Sequence, residues 1–158
     1  SLGADVPFLL HQKPALVSGI GENLEAYSGW LPDTVVIVYP GFAVSTAAVF
    51  QNLNLRLTKC KKKITRAILK KSGYQIPLHL CNDLETVTES QHPEIKLVKE
   101  RLVQLGALGA LMSGSGPTVF GLFSDHDTAG KAIQVIEHHP RWIASIADIK
   151  RQKYPVEG

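Results

Sequence analysis

The segment from residue 111 to residue 123 contains the residues of this sequence that are best suited to binding a ligand. It reads Leu-Met-Ser-Gly-Ser-Gly-Pro-Thr-Val-Phe-Gly-Leu-Phe, with apolar runs on both sides of a turn of small residues. Gly114 and Gly116 carry no Cβ, so the backbone can adopt positive φ angles and lie close to another molecule. Ser113 and Ser115 add hydroxyl groups, and successive free amides in such a turn can bind an anion. A tight hairpin turn without a ligand is the simpler interpretation, because short glycine patterns are weak signals.

Two other segments carry groups suited to catalysis or binding. Asp5 stands among small and apolar residues in Gly-Ala-Asp-Val-Pro-Phe, where a carboxylate can accept a proton from a substrate hydroxyl within hydrogen-bond reach. Ser45 and Thr46 place hydroxyls at a predicted helix start, which can hold an anion. Phe50 follows one turn later and could stack on a planar base. The simpler interpretations are a turn aspartate, an ordinary helix cap and a core phenylalanine.

Metal-binding and nucleotide-loop patterns are missing from the sequence. The six histidines include no His-Glu-x-x-His pair, and His79-x-Cys81 has no candidate ligands nearby, so we expect no protein-held metal site. No lysine follows the turn at Gly116 in the position that a Walker-type loop requires. Cys60 and Cys81 are too few for a disulfide framework, and a reducing cytosol fits them best.

Composition and charge are those of a globular domain, with 44% hydrophobic and 20% charged residues among 158. No apolar run approaches the ~20 residues that span a bilayer, so we expect no membrane partner. The segment 56–71 holds 8 of the 17 basic residues and no acidic residue. A solvated helix face is the simplest interpretation of this segment, with attraction of an anion or of a protein as alternatives. Nucleic-acid binding is disfavoured, because no aromatic residues are interleaved for base stacking.

The pattern of secondary structure predicts an α+β fold. Strands are predicted at 6–10, 15–18, 34–39, 109–112, 118–123 and 142–149. Helices are predicted at 46–52, at 61–71, after Asn82, after Pro93 and after Asp125 or Asp127. Asn82 and Glu85 resemble a capping box. From residue 34 onward the order is the ferredoxin-like β-α-β-β-α-β, with extra helices in the first crossover.

Together these segments resemble the GHMP kinase superfamily of galacto-, homoserine, mevalonate and phosphomevalonate kinases. The resemblance covers nearly the whole chain and is carried, in the family's order, by residues 3–8, 19–22, 44–50, 82–85 and 111–123. The Gly/Ser loop is shared across the superfamily, whereas Gly-Ala-Asp-Val-Pro-Phe and Ser-Thr-x-x-Val-Phe indicate the kinases that act on 4-diphosphocytidyl-2-C-methyl-D-erythritol. The resemblance implies a C-terminal ferredoxin-like domain at 31–158. It also implies that residues 1–30 are the last strands of a ribosomal S5-like N-terminal domain.

The resemblance implies transfer of the γ-phosphate of ATP, with Mg²⁺, to the 2-hydroxyl of that cytidyl substrate in non-mevalonate isoprenoid biosynthesis. Asp5 corresponds to the catalytic aspartate, which accepts or polarises the hydroxyl proton. Phe50 corresponds to the aromatic that stacks on cytosine. The implied substrate-binding residues are Thr46, Phe50, Gly114, Ser115 and Gly116, and the implied cofactor-binding residues are Ser113 and Gly114. Glu22 and Asn82 also match the family and are interpreted as architectural. Positioned groups of this kind suit phosphoryl transfer, in which orientation and charge stabilisation do most of the work.

Some family features do not occur in this sequence. Family members have an N-terminal half with a Gly-Leu-Gly-Gly-Gly-Ser-Ser-like ATP loop, a lysine that pairs with the catalytic aspartate, and a second aromatic for the cytosine clamp. We therefore expect this chain to be the C-terminal half of the kinase and inactive alone, with the other half, the cytidyl substrate and ATP as its partners. The pathway implies a bacterial cytoplasm or a plastid stroma. The alternative is a ferredoxin-like module that binds a ligand or partner without catalysis, since a fold does not fix function.

Overall fold

The computed structural model describes residues 15–19, 23–27, 32–53 and 80–149, which fall into two compact units. The first contains the antiparallel hairpin of β1 (Ala15–Ser18) and β2 (Asn23–Ala26). Strand β1 was predicted, but β2 was missed because Asn-Leu-Glu-Ala contains no β-branched or aromatic residue. The strand predicted at 6–10 and the helix predicted at 61–71 lie outside the described residues. The assignment of residues 1–30 to a separate domain stays a prediction.

The described residues of the second unit form a four-stranded sheet with four helices. Its elements are β3 (Thr34–Tyr39), α1 (Thr46–Asn52), α2 (Leu84–Gln91), α3 (Glu94–Gln104), β4 (Gly109–Met112), β5 (Val119–Phe123), α4 (His126–Ile136) and β6 (Ile143–Asp148). The strand order is β4-β5-β3-β6, and every neighbouring pair is antiparallel. This is the ferredoxin-like arrangement, which confirms the predicted α+β class.

The core lies between one face of the sheet and helices α3 and α4. Val36 and Val38 alternate along β3 with more exposed neighbours and are fully buried, as expected for a strand with one covered face. Helix α3 buries Ile95, Val98 and Leu102, whose spacing of three and four residues matches the predicted apolar stripe. The core positions β4 and β5, and so fixes both ends of the Gly/Ser loop that joins them.

A polar network joins the start of α4 to the sheet edge. The Thr34 hydroxyl donates to Asp148 Oδ1 at 3.0 Å, and His126 Nδ1 lies 2.9 Å from the same oxygen. The hydrogen bond and charge of Asp148 raise the pKa of His126, while hydrogen bonds from His126 and Thr34 lower the pKa of Asp148. Both shifts favour the ion pair, so its contribution to folding stability is present in full between the ordinary pKa values of 3.8 and 6.5. It is lost as the pH rises through the raised pKa of His126 or falls through the lowered pKa of Asp148.

Cys81, which precedes α2, differs from the sequence expectation. The structure has this residue in a disulfide bond, whereas the small number of cysteines favoured a reducing environment. A disulfide requires the fold to bring two side chains within bonding geometry. That distance cannot be obtained from the spacing of cysteines along a chain.

Candidate functional site

The loop between β4 and β5 presents two amides that have no hydrogen-bond partner among the described residues. Gly114 and Gly116 have φ angles of +57° and +87°, the left-handed region that favours glycine. Within the turn, the Ser113 amide donates to Thr118 O at 2.8 Å and the Gly116 amide donates to Ser113 O at 3.0 Å. The intervening amides of Gly114 and Ser115 donate to no group in the part of the chain that the structure describes. Two consecutive unpaired N–H groups in such a turn form a concavity suited to an anion.

Helix α1 meets this loop through a pair of hydroxyls. Thr46 Oγ1 lies 2.8 Å from Ser115 Oγ, although the two residues are 69 positions apart. The Ser45 hydroxyl accepts a hydrogen bond from the Ala48 amide at 3.3 Å, which confirms the predicted cap. Phe50 lies one turn beyond Thr46, on the same face of the helix, and 58% of its surface is exposed. The prediction of a core phenylalanine, given as the simpler interpretation, is therefore wrong.

Beneath the loop lie three polar side chains spaced three residues apart, here called the α2 clamp: Asn82, Glu85 and Thr88. The Asn82 side-chain amide donates to Met112 O at 2.9 Å and to Gly114 O at 2.7 Å. The Glu85 carboxylate accepts from the Met112 amide at 2.9 Å, and the Thr88 hydroxyl donates to Ser115 O at 3.1 Å. The α2 clamp therefore contacts the backbone at the β4 end of the loop, at Met112, and in its middle, at Gly114 and Ser115.

The capping box predicted at the start of α2 is wrong. Asp83 occupies the N-cap position and makes no side-chain cap hydrogen bond, while Asn82 Oδ1 accepts from the Leu84 amide at 3.1 Å. Glu85 does not contact the helix start, because its two oxygens bind the Met112 amide and Lys99. Tertiary contacts to β4 and α3 thus replace the local contact that the sequence pattern suggested.

Lys99 of α3 stabilises the α2 clamp through ion pairs with Glu85 and Glu89 of helix α2. Its ammonium lies 2.7 Å from Glu85 Oε2 and 2.8 Å from Glu89 Oε1. Burial disfavours the charged form of Lys99, but the hydrogen bonds and negative charges of Glu85 and Glu89 outweigh burial and raise its pKa. Lys99 therefore stays protonated at neutral pH and holds Glu85 in place below Met112.

The structure brings together five of the predicted site residues. It adds Glu85 and Thr88, which support the loop. Ser113, Gly114, Ser115 and Gly116 form the loop, and Thr46 joins it through a hydroxyl contact. Asp5, Glu22 and the basic segment 56–71 lie outside the described residues. Sequence reasoning missed Thr88 and misinterpreted Glu85, although their spacing of three residues was a signal that the two side chains share one helix face.

The described ranges contain no group of three side chains able to hold a metal ion. None of the helices in these ranges has the length and apolar character that a membrane crossing requires.

Comparison with known proteins identifies the family of this chain. Residues 62–140, which are half of the sequence, match the family described as "GHMP kinases C terminal". The chain belongs to the GHMP kinases. The resemblance carried by the sequence motifs is thereby confirmed.

Several relatives of this GHMP kinase chain share one name. This chain is 46% identical over 143 residues to the 4-diphosphocytidyl-2-C-methyl-D-erythritol kinase of Syntrophotalea carbinolica. The match covers 90% of this chain and 50% of the relative. The kinase of the same name from Geobacter metallireducens is 49% identical over 142 residues, with the same coverage. A crystal structure of 4-(cytidine 5'-diphospho)-2C-methyl-D-erythritol kinase is 30% identical with a TM-score of 0.69, covering 94% of this chain and 55% of that one. This chain thus spans about half the length of the curated relatives it matches.

Proposed function

We propose that this chain is the C-terminal half of an ATP-dependent kinase that phosphorylates the 2-hydroxyl of 4-diphosphocytidyl-2-C-methyl-D-erythritol. The names of its relatives at 46% and 49% identity support that substrate. The observation that carries the proposal is the contact between Thr46 and Ser115, at 2.8 Å. It joins a helix with an exposed aromatic ring to a loop with amides that are unpaired within the described residues. This arrangement supports a base-binding role for the ring and a phosphate-binding role for the loop.

Phe50 would bind the cytidyl end of the substrate. A phenylalanine with 58% of its surface exposed contributes little to the core, and an exposed ring on a helix can stack on a planar base. Thr46, on the same face, would offer its hydroxyl to the adjoining part of the ligand. The fully buried Val49 anchors helix α1, so the backbone that carries Thr46 and Phe50 is held in place before substrate binds.

The Gly114 and Ser115 amides would bind phosphate oxygens. The space around the position of a Cβ at Gly114 is empty to 4 Å, so a phosphate group can approach the backbone there. Backbone N–H groups fixed in direction stabilise charge that develops during group transfer. These donors fit a phosphate of ATP or the diphosphate of the substrate. When bound, ATP supplies the phosphoryl group and Mg²⁺ neutralises its oxygens.

Asp5 would act on the substrate hydroxyl. We assign it the role of accepting or polarising the hydroxyl proton, on the basis of the Gly-Ala-Asp-Val-Pro-Phe motif. The residues described in the structure contribute binding and positioning instead, through the loop amides, Thr46 and Phe50. This division of roles leaves the ATP loop and the lysine partner of the aspartate to the N-terminal half.

A fused kinase tests the proposal. The N-terminal half of the Syntrophotalea carbinolica kinase would be joined ahead of Ser1, and phosphorylation of the cytidyl substrate would be followed in this fused kinase and in the 158-residue chain alone. We expect turnover in the fused kinase and none in the chain alone. Turnover by the chain alone at the rate of an intact relative would contradict the half-kinase proposal. Substrate binding by a fused kinase without turnover would favour the alternative of a ligand-binding module.

Replacing Phe50 with alanine in the fused kinase is expected to raise KM for the cytidyl substrate roughly 10-fold or more, because stacking of a base on an aromatic ring is lost. The KM for ATP and kcat should change little. The matched control is Leu97→Ala, since Leu97 has the same 58% exposure but lies on a different helix, α3. Steady-state kinetics with each substrate varied in turn provides the measurement. Equal effects of the two substitutions would mean that Phe50 does not bind the base.

A further inference from the structure

We propose that Asn82 and Thr88 of the α2 clamp are positioning residues that set the direction in which the loop amides face. The proposal rests on the proposed function only for the identity of the ligand, since the hydrogen bonds that direct the amides are present without one. Both side chains act through the loop backbone, and neither is expected to contact the reacting atoms.

Asn82 determines the direction of the Ser115 amide. Its side-chain amide donates a hydrogen bond to Gly114 O at 2.7 Å, so this carbonyl faces the α2 side of the loop. A trans peptide unit is planar, with its C=O and N–H pointing in opposite directions. Because Gly114 O points toward Asn82, the N–H of Ser115 in the same peptide unit must point away from α2. The hydrogen bond from Asn82 to Met112 O, at 2.9 Å, fixes the Asn82 side chain itself at a second point.

Thr88 fixes the next peptide unit along the loop. Its side chain is fully buried, and its hydroxyl lies 3.1 Å from Ser115 O and 3.2 Å from Leu84 O. With Ser115 O held toward α2, the Gly116 amide points into the turn, where it donates to Ser113 O at 3.0 Å. That bond turns Ser113 O inward, so the Gly114 amide in the same peptide unit is directed outward. Both free amides are therefore oriented by hydrogen bonds that begin at the α2 clamp.

The kinetic test compares substitutions that remove or keep the clamp hydrogen bonds in the fused kinase. Thr88→Val removes the hydroxyl at nearly constant volume, and we expect a kcat about 10- to 100-fold lower, the scale of a misplaced catalytic contact. Thr88→Ser keeps the hydroxyl and should restore most of kcat. Asn82→Asp keeps the acceptor for the Leu84 amide but removes both donors, and should lower kcat at least as much.

The matched control is Thr86→Val, because within the described part of the chain the Thr86 hydroxyl donates only to Asp83 O, at 2.8 Å, at the start of the same helix. If Thr88→Val and Thr86→Val have equal kcat values, or if Thr88→Ser is as impaired as Thr88→Val, the inference is overturned. If Thr88→Ser is as impaired as Thr88→Val, the methyl group of Thr88 matters through packing and its hydroxyl does not, since serine lacks only that methyl group.

A binding measurement separates this inference from the proposed function. Pyrophosphate is titrated into the isotopically labelled 158-residue chain, and the amide resonances of Gly114 and Ser115 are followed by NMR. We expect these resonances to shift with pyrophosphate in the original chain and in Thr86→Val, and to respond much less in Thr88→Val. Equal responses in all three chains, or no response in the original chain, would overturn the inference. An inactive fused kinase combined with a response that depends on Thr88 would instead contradict only the proposed reaction.

Discussion

Replacing Asp5 with asparagine is expected to lower kcat of the fused kinase by about 10²- to 10⁴-fold, the usual contribution of a positioned acid or base. Asparagine is close to aspartate in size but cannot accept the hydroxyl proton as a carboxylate can. The substrate should still bind through Phe50 and the loop, so KM should change little, which is the pattern of an interaction made mainly in the transition state. The measurement is steady-state kinetics with the cytidyl substrate and ATP.

The control for Asp5 is Asp127→Asn, which removes an exposed carboxylate from the first turn of α4. It tests whether loss of negative charge in general lowers the rate. An unchanged kcat in Asp5→Asn, or equal losses in the two variants, would show that Asp5 does not act on the substrate hydroxyl. Asp5 is the residue for which this result matters most, since its role is inferred from a sequence motif alone.

The second large effect is expected at Gly116, where alanine should reduce the free energy of unfolding by roughly 2–4 kcal/mol. The φ angle of +87° is unfavourable for a residue with a Cβ. The new Cβ would also lie 2.5 Å from Met112 Sδ and 3.4 Å from Thr88 Cγ2. Met112 is only 1% exposed, so its thioether has little room to move. Denaturant unfolding of the 158-residue chain measures the loss.

Gly114→Ala is the matched control for Gly116→Ala. Gly114 also has a positive φ, at +57°, but an added Cβ would meet nothing within 4 Å. We expect only the backbone cost of about 1–2 kcal/mol in this variant, together with weaker pyrophosphate binding, because the methyl group would occupy the space proposed for the phosphate. If Gly114→Ala proves as destabilising as Gly116→Ala, the packing of Gly116 against Met112 is not the cause of the larger loss.

The regular elements of the second unit could be predicted because their patterns are local. The β-branched run at 34–39 and the apolar spacing of Ile95, Val98 and Leu102 each depend on neighbours along the chain. The hydroxyl of Ser45 and the carboxylate of Asp125 cap the helices that they precede, as expected from residue type. Strand β2 gave no such signal, since its residues have low strand propensity and depend on pairing with β1.

The candidate site could be predicted only in part, because its supporting contacts join distant segments. The glycines of the loop were recognisable from the sequence, but which amides remain free depends on hydrogen bonds to Thr118 and Ser113. Glu85 carries an apparent local signal for a capping box, yet the fold places a backbone amide and a lysine within its reach. The role of Thr88 depends on the loop lying against α2, which no pattern within α2 indicates.

A chain that spans about half the length of its relatives can retain groups that bind a ligand without all the groups that turnover requires. The GHMP kinase chain described here has a complete ferredoxin-like sheet, a buried core and a hydrogen-bonded loop. Its relatives are about twice as long. We therefore expect ligand recognition to be separable from turnover, with pyrophosphate binding in this chain and phosphoryl transfer only in the fused kinase.

The most direct test is a crystal structure of the fused kinase with the cytidyl substrate and a non-hydrolysable ATP analogue bound. We expect the amide nitrogens of Gly114 and Ser115 to lie about 3 Å from phosphate oxygens, with the cytosine ring stacked on Phe50. A structure in which both ligands are bound while these amides face solvent and Phe50 contacts no base would contradict the proposed site.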